Sequence, residues 1–307
     1  MSARLKHGVY LPQGWRPDYP EGIGLAAALG NLFARAKEAE LFGMDSIWLF
    51  DHLIPDPPLT NGQTIECWTA IAALCSATSR ITLGPLVSCV YYRPIKVLSR
   101  MAQTVNAIAP GRLVVGLGAC WHEGEFRAHG LRFPPIGARL VRLKRAARLL
   151  RQTASSDAGR PPIWIGGNGL RTLQLAARES DGATVIGPPQ TVARLVDYLR
   201  TECERMGRDS RDCHVAAVWR PIIAGPSERG AIAASLGRRL GVDAEALLSD
   251  TFHYSFGTAS ELATLVDEYA RAGVDHLVAY LPQASEEGVL ATYASEVARC
   301  GEGVTRS

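Results

Sequence analysis

The chain has 307 residues, of which 47% are hydrophobic, and this is enough for one large buried core. Its formal net charge of +3 is too small to indicate a nucleic acid or an anionic membrane as a partner. The seven cysteines are scattered without a C-x-x-C pair, so the sequence predicts neither a disulfide framework nor a structural zinc site. A polar start and the lack of a long apolar run predict a cytoplasmic protein without a signal peptide or a membrane span.

Short apolar segments alternate with helical patterns along the chain. The predicted strands are residues 7–11, 45–50, 81–87, 113–117, 162–165, 181–186, 214–223 and 274–281. The predicted helices are residues 25–42, 66–76, 97–108, 139–152, 170–178, 191–206, 259–272 and 286–300. Buried strands joined by helices must be parallel, so this order predicts an α/β protein, a single closed (β/α)8 TIM barrel over residues 1–307. A doubly wound open sheet is the alternative, but the order shows no switch point.

Two longer segments depart from the simple alternation of strands and helices. Residues 121–137 predict a long loop after the fourth strand. Residues 225–251 predict an insertion after strand seven, with some helix near residues 231–240. The insertion is a candidate lid over the site, which remains a hypothesis at this stage.

Small residues end the fourth predicted strand at Gly116, Gly118 and Ala119. Such residues either let a flat or bulky group approach the backbone or ease the packing of the strand. Their spacing alone leaves both interpretations open.

The C-terminal ends of the strands are where a barrel of this type carries its active site. His52 follows the second strand and is the best acid/base candidate, because imidazole titrates near neutral pH. A structural histidine that only hydrogen-bonds a neighbour is the alternative. Asp51 is expected either to orient His52 or to cap the following turn, and Gln13 follows the first strand.

A metal site and a glycosidase are both disfavoured by the segment after the fourth strand. His122 and Glu123 resemble the start of an H-E-x-x-H motif, but Phe126 stands where the second histidine is needed. Glu123 and Glu125 are two neighbouring carboxylates on a predicted loop, which is weak evidence for glycosidase chemistry.

The run Gly166-Gly167-Asn168-Gly169 predicts an anion pocket. It follows an apolar strand and opens a helix, where free backbone N–H groups can bind a phosphate-bearing ligand. A tight strand-to-helix turn without a ligand is the alternative. The G-L-G-A run is no dinucleotide fingerprint, because Trp121 replaces the last glycine that the fingerprint needs.

Several runs, in order, resemble the bacterial luciferase-like oxidoreductases, a superfamily of (β/α)8 barrels that use FMN or the deazaflavin coenzyme F-420. The runs are G-V-Y-L-P-Q-G, G-M-D-S-I-W-L-F-D-H-L, T-S-R-I-T-L-G, G-R-L-V-V-G-L-G-A-C-W-H-E-G-E, P-P-I-W-I-G-G-N-G and S-D-G-A-T-V, with a weaker echo at G-V-D-H-L-V-A-Y-L-P. They extend from His7 to about Pro189, and they look most like the subgroup presumed to use the deazaflavin.

The resemblance implies roles for particular residues. His52 would handle the proton near the reactive face of the ring, with Asp51 beside it, and a non-proline cis peptide would back the ring near residues 86–88. The implied cofactor-binding residues are Leu86, Val87, Ser88, Ala119, Cys120, Gly166, Gly167, Asn168, Ile186 and Gly187. Positions at strand ends make Gln13, Tyr91, Trp121 and His122 the candidate substrate-binding residues. No metal is expected.

Three positions depart from what the resemblance leads us to expect. Cys120 stands where this group often has glycine. Ala183 stands where, in this group, tryptophan often follows the A-D-G run. Trp121 occupies the place where some deazaflavin dehydrogenases carry a catalytic glutamate, which puts a sugar-phosphate dehydrogenase activity in doubt.

The favoured function is hydride transfer between a reduced deazaflavin and a small organic substrate, with His52 as acid or base. One alternative is an FMN-dependent monooxygenase that uses O2 and flavin supplied by a separate flavin reductase. Arg220 or Arg93 near the mouth would favour the deazaflavin, whose tail is anionic. Two further alternatives are a non-catalytic flavin-binding protein and an unrelated phosphate-binding barrel, such as an isomerase or aldolase. The lack of a lysine at any predicted strand end argues against a Schiff-base aldolase. The resemblance further suggests a homodimer.

Overall fold

The structure is a computed structural model that describes residues 4–16, 18–19, 22–57, 64–153, 159–249 and 253–298. The strands are β1 (Lys6–Tyr10), β2 (Ser46–Leu49), β3 (Thr82–Pro85), β4 (Ser88–Cys89), β5 (Val115–Gly118), β6 (Ile163–Gly166), β7 (Gly182–Ile186), β8 (His214–Ile223), β9 (Tyr254–Gly257) and β10 (His276–Ala279). The helices are α1 (Leu25–Leu41), α2 (Cys67–Ala77), α3 (Ile95–Ile108), α4 (Glu123–Ala128), α5 (Ile136–Gln152), α6 (Leu170–Glu179), α7 (Pro189–Arg205), α8 (Arg229–Leu240), α9 (Ala244–Leu248), α10 (Ala259–Arg271) and α11 (Val289–Thr292).

The strands form a parallel sheet that curls into a barrel. Their order is β3-β2-β1-β10-β8-β7-β6-β5-β4, and β9 pairs with β8 beside this path. Of the two end strands, β3 lies within the third predicted strand, residues 81–87, and β4 follows directly after it. A parallel bridge between Leu83 and Leu113 joins β3 to the chain just before β5 and closes the ring. The predicted (β/α)8 barrel is therefore confirmed.

The third predicted strand, residues 81–87, ends at Pro85 in the structure, and a break separates it from β4. Leu86 and Val87 lie between β3 and β4 and are joined by a cis peptide, at the place where the resemblance implied one. The Tyr10 hydroxyl donates a hydrogen bond to the Leu86 carbonyl, and Asp51 accepts one from the Cys89 amide. Side chains thus form hydrogen bonds with the backbone at the break. The apolar run in the sequence is uninterrupted here, so it could not reveal the break.

The predicted loop over residues 121–137 is partly wrong, because it contains the short helix α4. His122 caps this helix, with its Nδ1 accepting a hydrogen bond from the Glu125 amide at 3.1 Å. Phe126 is fully buried and anchors the helix to the barrel. Six residues are too few to show a helical period, and Gly124 weakens the pattern further.

The insertion after strand seven folds into α8, α9 and β9, so it contains the predicted helix and two further elements. Its small core consists of Ile222, Ala224, Leu236 and Leu247. Tyr254 of β9 pairs with Arg220 of β8, which brings the end of the insertion to the mouth of the barrel. Residues 250–252, at the end of the predicted insertion, lie outside the described residues.

The end of the chain differs from the single predicted helix over residues 286–300. Here α11 is followed by a six-residue π-helix, Tyr293–Ala298, whose Tyr293 and Val297 are fully buried. Residues 299 and 300 lie outside the described part of the chain. Across the described ranges, no helix combines the length and apolar character that crossing a bilayer requires.

Candidate active site

A cavity of about 760 Å³ opens at the C-terminal ends of the barrel strands. This is the size range of pockets that bind drug-sized ligands, and its position agrees with the expectation for barrels. The predicted site residues that line it are Asp51, His52, Leu86, Val87, Ala119, Cys120, Trp121, His122, Gly166, Gly167, Asn168 and Ile186.

Gln13 and Tyr91, which the sequence predicts to bind the substrate, do not line this cavity. The Gln13 amide is fully buried, where it donates to the Phe50 and Ile65 carbonyls at 3.0 and 3.1 Å. It therefore joins the loops after β1 and β2. The Tyr91 hydroxyl points to helix α5, where it donates to the Ala138 carbonyl at 3.2 Å.

Ser88 and Gly187, which the resemblance implies as cofactor-binding residues, also do not line the cavity. The Ser88 hydroxyl is fully buried; it accepts a hydrogen bond from the Trp68 indole and donates one to Asp51. The Gly187 carbonyl accepts a hydrogen bond from the Tyr269 hydroxyl at 2.8 Å. Both residues support the wall from outside.

His52 is held on the wall by stacking and by one carboxylate. Its ring lies parallel to the Trp15 indole, with centroids 3.9 Å apart and planes inclined by 4°. Its Nδ1 lies 2.8 Å from Glu125 Oε2. Trp121 meets the imidazole edge-on at 5.9 Å between centroids, so aromatic groups confine the ring on two sides.

Glu125 is fully buried and accepts four hydrogen bonds. The donors are His52 Nδ1, the Tyr92 hydroxyl and the backbone amides of Leu53 and Ile54. Burial raises the pKa of the Glu125 carboxyl, but the His52 and Tyr92 side chains and the Leu53 amide outweigh it and lower that pKa to about 2. An ionised carboxylate can only accept hydrogen bonds, so Nδ1 of His52 carries a proton and Nε2 is the nitrogen left for proton exchange.

Asp51 does not orient His52, and that part of the expectation is wrong. Its carboxylate accepts hydrogen bonds from the Ser88 hydroxyl at 2.8 Å and from the Cys89 amide at 2.9 Å. It also pairs with Arg93, whose two terminal nitrogens lie 2.7 and 2.9 Å from its oxygens. Asp51 thus fixes the start of β4, while Arg93 is engaged behind the cavity.

The glycines at the ends of β5 and β6 make room for Val87. A Cβ on Gly118 would lie 2.4 Å from Val87 Cγ2, and a Cβ on Gly166 would lie 2.6 Å from Val87 Cγ1. No real side chain tolerates such distances. Of the two interpretations left open for Gly118, the group that approaches its backbone is the Val87 side chain, which then forms part of the cavity wall.

At the place where the sequence predicts an anion pocket, a loop opens helix α6. Gly169 precedes the helix, and its carbonyl accepts hydrogen bonds from the Thr172 and Leu173 amides at 2.8 and 3.0 Å, which leaves the Leu170 and Arg171 amides as the first-turn N–H groups without an acceptor in the helix. The Gly167 amide of the loop donates to the Thr184 carbonyl at 2.9 Å. Arg171 and Thr172 line the cavity beside the loop. The Asn168 side chain bonds both the amide and the carbonyl of Ile186, so it holds the ends of β6 and β7 together.

Two cysteines of the cavity wall form a disulfide, which the sequence did not predict. Cys89 in β4 and Cys120 after β5 have Cα atoms 5.4 Å apart and are bonded through their sulfurs. Cys67, Cys75, Cys203 and Cys213 are free and buried, while Cys300 lies outside the described residues.

Glu125 is the main site residue whose role the sequence did not reveal. It was considered only as a member of a carboxylate pair with Glu123, which is exposed and pairs with Arg127 instead. Its position three residues after His122 matches a helix-capping pattern, but its carboxylate accepts hydrogen bonds from His52, Tyr92 and two backbone amides instead, so this pattern gave no signal for its role.

The comparisons with known proteins agree with this barrel and its cavity. Residues 6–255 match the model of the luciferase-like monooxygenase family. An F420-dependent glucose-6-phosphate dehydrogenase from Kineococcus radiotolerans is 28% identical over 198 residues, which cover 57% of this chain and 56% of that protein. An F420-dependent hydroxymycolic acid dehydrogenase from Mycobacterium tuberculosis is 28% identical over 201 residues, which cover 58% of this chain and 55% of that protein.

The chain thus spans little more than half the length of these two curated relatives. A solved F420-dependent secondary alcohol dehydrogenase, in complex with an F420-acetone adduct, has the same fold. Its TM-score is 0.76 at 17% identity, with 96% of this chain and 98% of that chain covered. Because the family model matches most of its length, the chain belongs to the luciferase-like monooxygenase family.

Proposed function

We propose that this chain transfers a hydride between a reduced deazaflavin of the F-420 type and a small organic substrate. The observation that carries the proposal is the proton-handling pair, His52 and the buried Glu125, on the wall of the barrel cavity. The relatives from Kineococcus and Mycobacterium are named as F420-dependent dehydrogenases, which favours the deazaflavin over FMN.

The residues of the cavity fit a flat cofactor with an anionic tail. The loop before α6, with Arg171 and Thr172, would hold the phosphate. Val87 and Leu86 would back the ring, since the glycines around Val87 leave an apolar surface at the bottom of the cavity. Thr184 Oγ1 is buried in the wall without a hydrogen-bond partner in the described residues, so it is available to a polar edge of the ligand.

The chemistry divides between the cofactor and the protein. When bound, a reduced deazaflavin supplies two electrons and one hydrogen as a hydride. His52 Nε2 gives the accompanying proton to the substrate oxygen when a carbonyl is reduced, and takes it back when an alcohol is oxidised. Glu125 keeps Nδ1 protonated and fixes the ring, and Trp15 holds its plane. Trp121, where some relatives carry a catalytic glutamate, supplies no second acid.

Titrating the purified protein with each coenzyme, and following absorbance or fluorescence, tests the choice of cofactor. We expect tight binding of the deazaflavin and weak binding of FMN. The reverse order, with consumption of O2 by the FMN-loaded protein, would support the monooxygenase alternative. Binding without turnover of any member of a panel of aldehydes, ketones and alcohols would support a non-catalytic carrier.

The variant His52→Ala tests the acid/base role. We expect kcat to fall by about 100-fold or more, because general acid–base catalysis contributes about that much, while cofactor affinity stays nearly unchanged. His129→Ala controls for the loss of an imidazole outside the cavity, because His129 is exposed, does not line the cavity and has its Nδ1 3.0 Å from the backbone carbonyl of Glu125 rather than from its carboxylate. Equal kcat values for wild type and His52→Ala would contradict the acid/base role of His52.

A homodimer and a cytoplasmic location belong to the same proposal. The dimer comes from the resemblance to the family. The location came from the scattered cysteines, of which the structure joins Cys89 and Cys120 in a disulfide, so it is supported by the resemblance alone. Light scattering of the purified protein measures its mass in solution, and a monomeric mass would remove the dimer from the proposal.

A further inference from the structure

The Cys89–Cys120 disulfide connects two parts of the cavity wall. The proposed mechanism gives this bond no role. Cys89 lies in β4, and Cys120 follows the paired strand β5, where the register places Cys89 opposite Gly118. Both cysteines line the cavity. Cys89 is 5% exposed, whereas Cys120 is more exposed, so a small reagent in the cavity reaches the Cys120 sulfur first.

The bond fixes the segment from Ala119 to His122, which carries rings that surround His52. Cys120 adopts φ of +66°, a left-handed conformation that residues other than glycine rarely adopt. Its carbonyl accepts a hydrogen bond from the Arg139 guanidinium. The rings of Trp121 and His122 lie 5.9 and 6.4 Å from the His52 ring, so a shift of this segment reaches the catalytic histidine.

The other half of the bond is equally close to the site. The Cys89 amide donates to Asp51, whose carboxylate also holds Ser88 and Arg93. Cys89 is therefore fixed by the same group that positions the start of β4. Cutting the bond leaves Cys89 anchored in β4, whereas Cys120, in the loop after β5, loses its link to that strand and keeps the Arg139 hydrogen bond to its carbonyl.

We propose that Cys89 and Cys120 form a thiol–disulfide exchange site in the cofactor cavity, whose reaction partner is a small dithiol and whose state controls cofactor binding. A thiolate of the dithiol attacks the Cys120 sulfur, the bond to Cys89 breaks, and Cys89 leaves as a thiolate that takes up a proton. The second thiol of the reagent then attacks the mixed disulfide. This step releases the Cys120 thiol and a cyclic disulfide, so two electrons pass from the reagent to the protein.

The consequence is a looser segment from Ala119 to His122. Two thiols cannot stay at bonding distance, and a released Cys120 no longer has a covalent reason to keep its left-handed conformation. We expect reduction to weaken deazaflavin binding by at least about fivefold, which is the lower end of the range for coupled sites. This effect on the cofactor rests on the proposed function, whereas the exchange reaction itself does not.

Alkylation followed by mass spectrometry tests the exchange site on the full chain without any cofactor. We expect Cys89 and Cys120 to be protected from alkylation in the protein as isolated under air, and to be labelled after treatment with dithiothreitol. Oxidised dithiothreitol should restore protection. The inference would be overturned if Cys89 and Cys120 are both alkylated before reduction and if treatment with an oxidant does not protect them.

Titration with the deazaflavin, before and after reduction, tests the control of binding. The variants Cys120→Gly and Cys89→Ser should bind with the same affinity under both conditions, and Cys75→Ser should keep the response of wild type. Circular dichroism checks that each variant is folded. An affinity of wild type that reduction leaves unchanged would contradict the control of binding.

Hydrogen exchange separates failure of this inference from failure of the proposed function. If neither coenzyme binds in either state, the proposed function fails. Amide exchange of residues 119–122 then decides whether reduction of the disulfide loosens this segment. Faster exchange there after reduction supports the released segment, and unchanged exchange overturns it.

Discussion

At the scale of single residues, the environment of His52 comes from three separate parts of the chain. His52 follows β2, Trp15 follows β1 and Glu125 lies in α4. The sequence indicated His52, because position at a strand end and the chemistry of imidazole both point to it. It could not indicate the bond to Glu125, because residues 73 apart meet only when the loops after two strands fold over the same cavity.

The variant Glu125→Gln tests whether this carboxylate positions His52. The carboxyl, with a pKa of about 2, is ionised throughout the working range of the protein, and the amide removes its charge while keeping its shape. We expect kcat to fall by about 10- to 100-fold, less than the roughly 100-fold or greater loss expected for removal of the acid/base group, because His52 itself stays in place, while KM changes little. Steady-state kinetics across pH should also show an altered pH profile of kcat.

Glu123→Gln is the matched control for that measurement. Glu123 lies in the same short helix, but it is exposed and pairs only with Arg127 among the contacts of its side chain that the structure describes. We expect its kcat and pH profile to match wild type. A Glu125→Gln enzyme that is also indistinguishable from wild type would show that His52 needs no anionic partner.

At the scale of elements, the seam between β3 and β5 closes the barrel. The Leu83 amide donates to the Arg112 carbonyl at 2.9 Å, and the Val114 amide donates to the Leu83 carbonyl at 3.0 Å. The pattern of apolar residues predicted both strands, because burial on two faces leaves a continuous apolar run. It could not predict the break after Pro85, since the residues at the break are as apolar as those in the strand.

The variant Gly84→Ala tests the seam. A Cβ at this position would lie 1.9 Å from the Val114 carbonyl oxygen, and backbone atoms cannot move away without separating the strands. We expect the free energy of unfolding to fall by about 1–3 kcal/mol or more, as for other overpacked cores. Chemical denaturation followed by circular dichroism measures the change.

Gly30→Ala is the control, and its expected effect has the opposite sign. Gly30 lies in α1 with no atom within 4 Å of an added Cβ. Alanine there should stabilise the protein by about 0.5–1 kcal/mol, because glycine loses more backbone entropy in a helix. A destabilisation of the same size in both variants would show that the close contact at Gly84 does not matter.

At the scale of the whole molecule, the order of strands and helices could be predicted from the sequence, whereas the polar interior could not. Inside the barrel, the Trp48 indole donates to the Ser46 hydroxyl at 2.7 Å, and that hydroxyl lies 2.7 Å from His276 Nε2. Burial lowers the pKa of His276 well below its ordinary value, with smaller contributions from His214 and two further neighbours. Patterns of apolar residues along the sequence predict which apolar side chains are buried. They carry no information on buried polar residues, so the buried histidines at the N-terminal end of the barrel could not be predicted.

His7, in β1 at the N-terminal end of the barrel, makes this end of the molecule sensitive to acid. It is 5% exposed, and burial, with a smaller contribution from the positive charge of Arg4, lowers its pKa to about 4. The folded protein therefore keeps His7 neutral, while the unfolded chain takes up a proton below about pH 6.5. The stability that the neutral form contributes is complete above pH 6.5 and is lost as the pH falls toward 4.

The variant His7→Gln tests this assignment, because an uncharged side chain removes the titration. Between pH 6.5 and 4 we expect the free energy of unfolding of wild type to fall by about 3 kcal/mol more than that of the variant, from the size of the pKa difference. Urea denaturation at a series of pH values measures both slopes. His129→Gln, at an exposed position, should keep the slope of wild type. Identical slopes for wild type and His7→Gln would mean that the folded and unfolded states bind the same number of protons at His7, which a buried neutral imidazole does not allow.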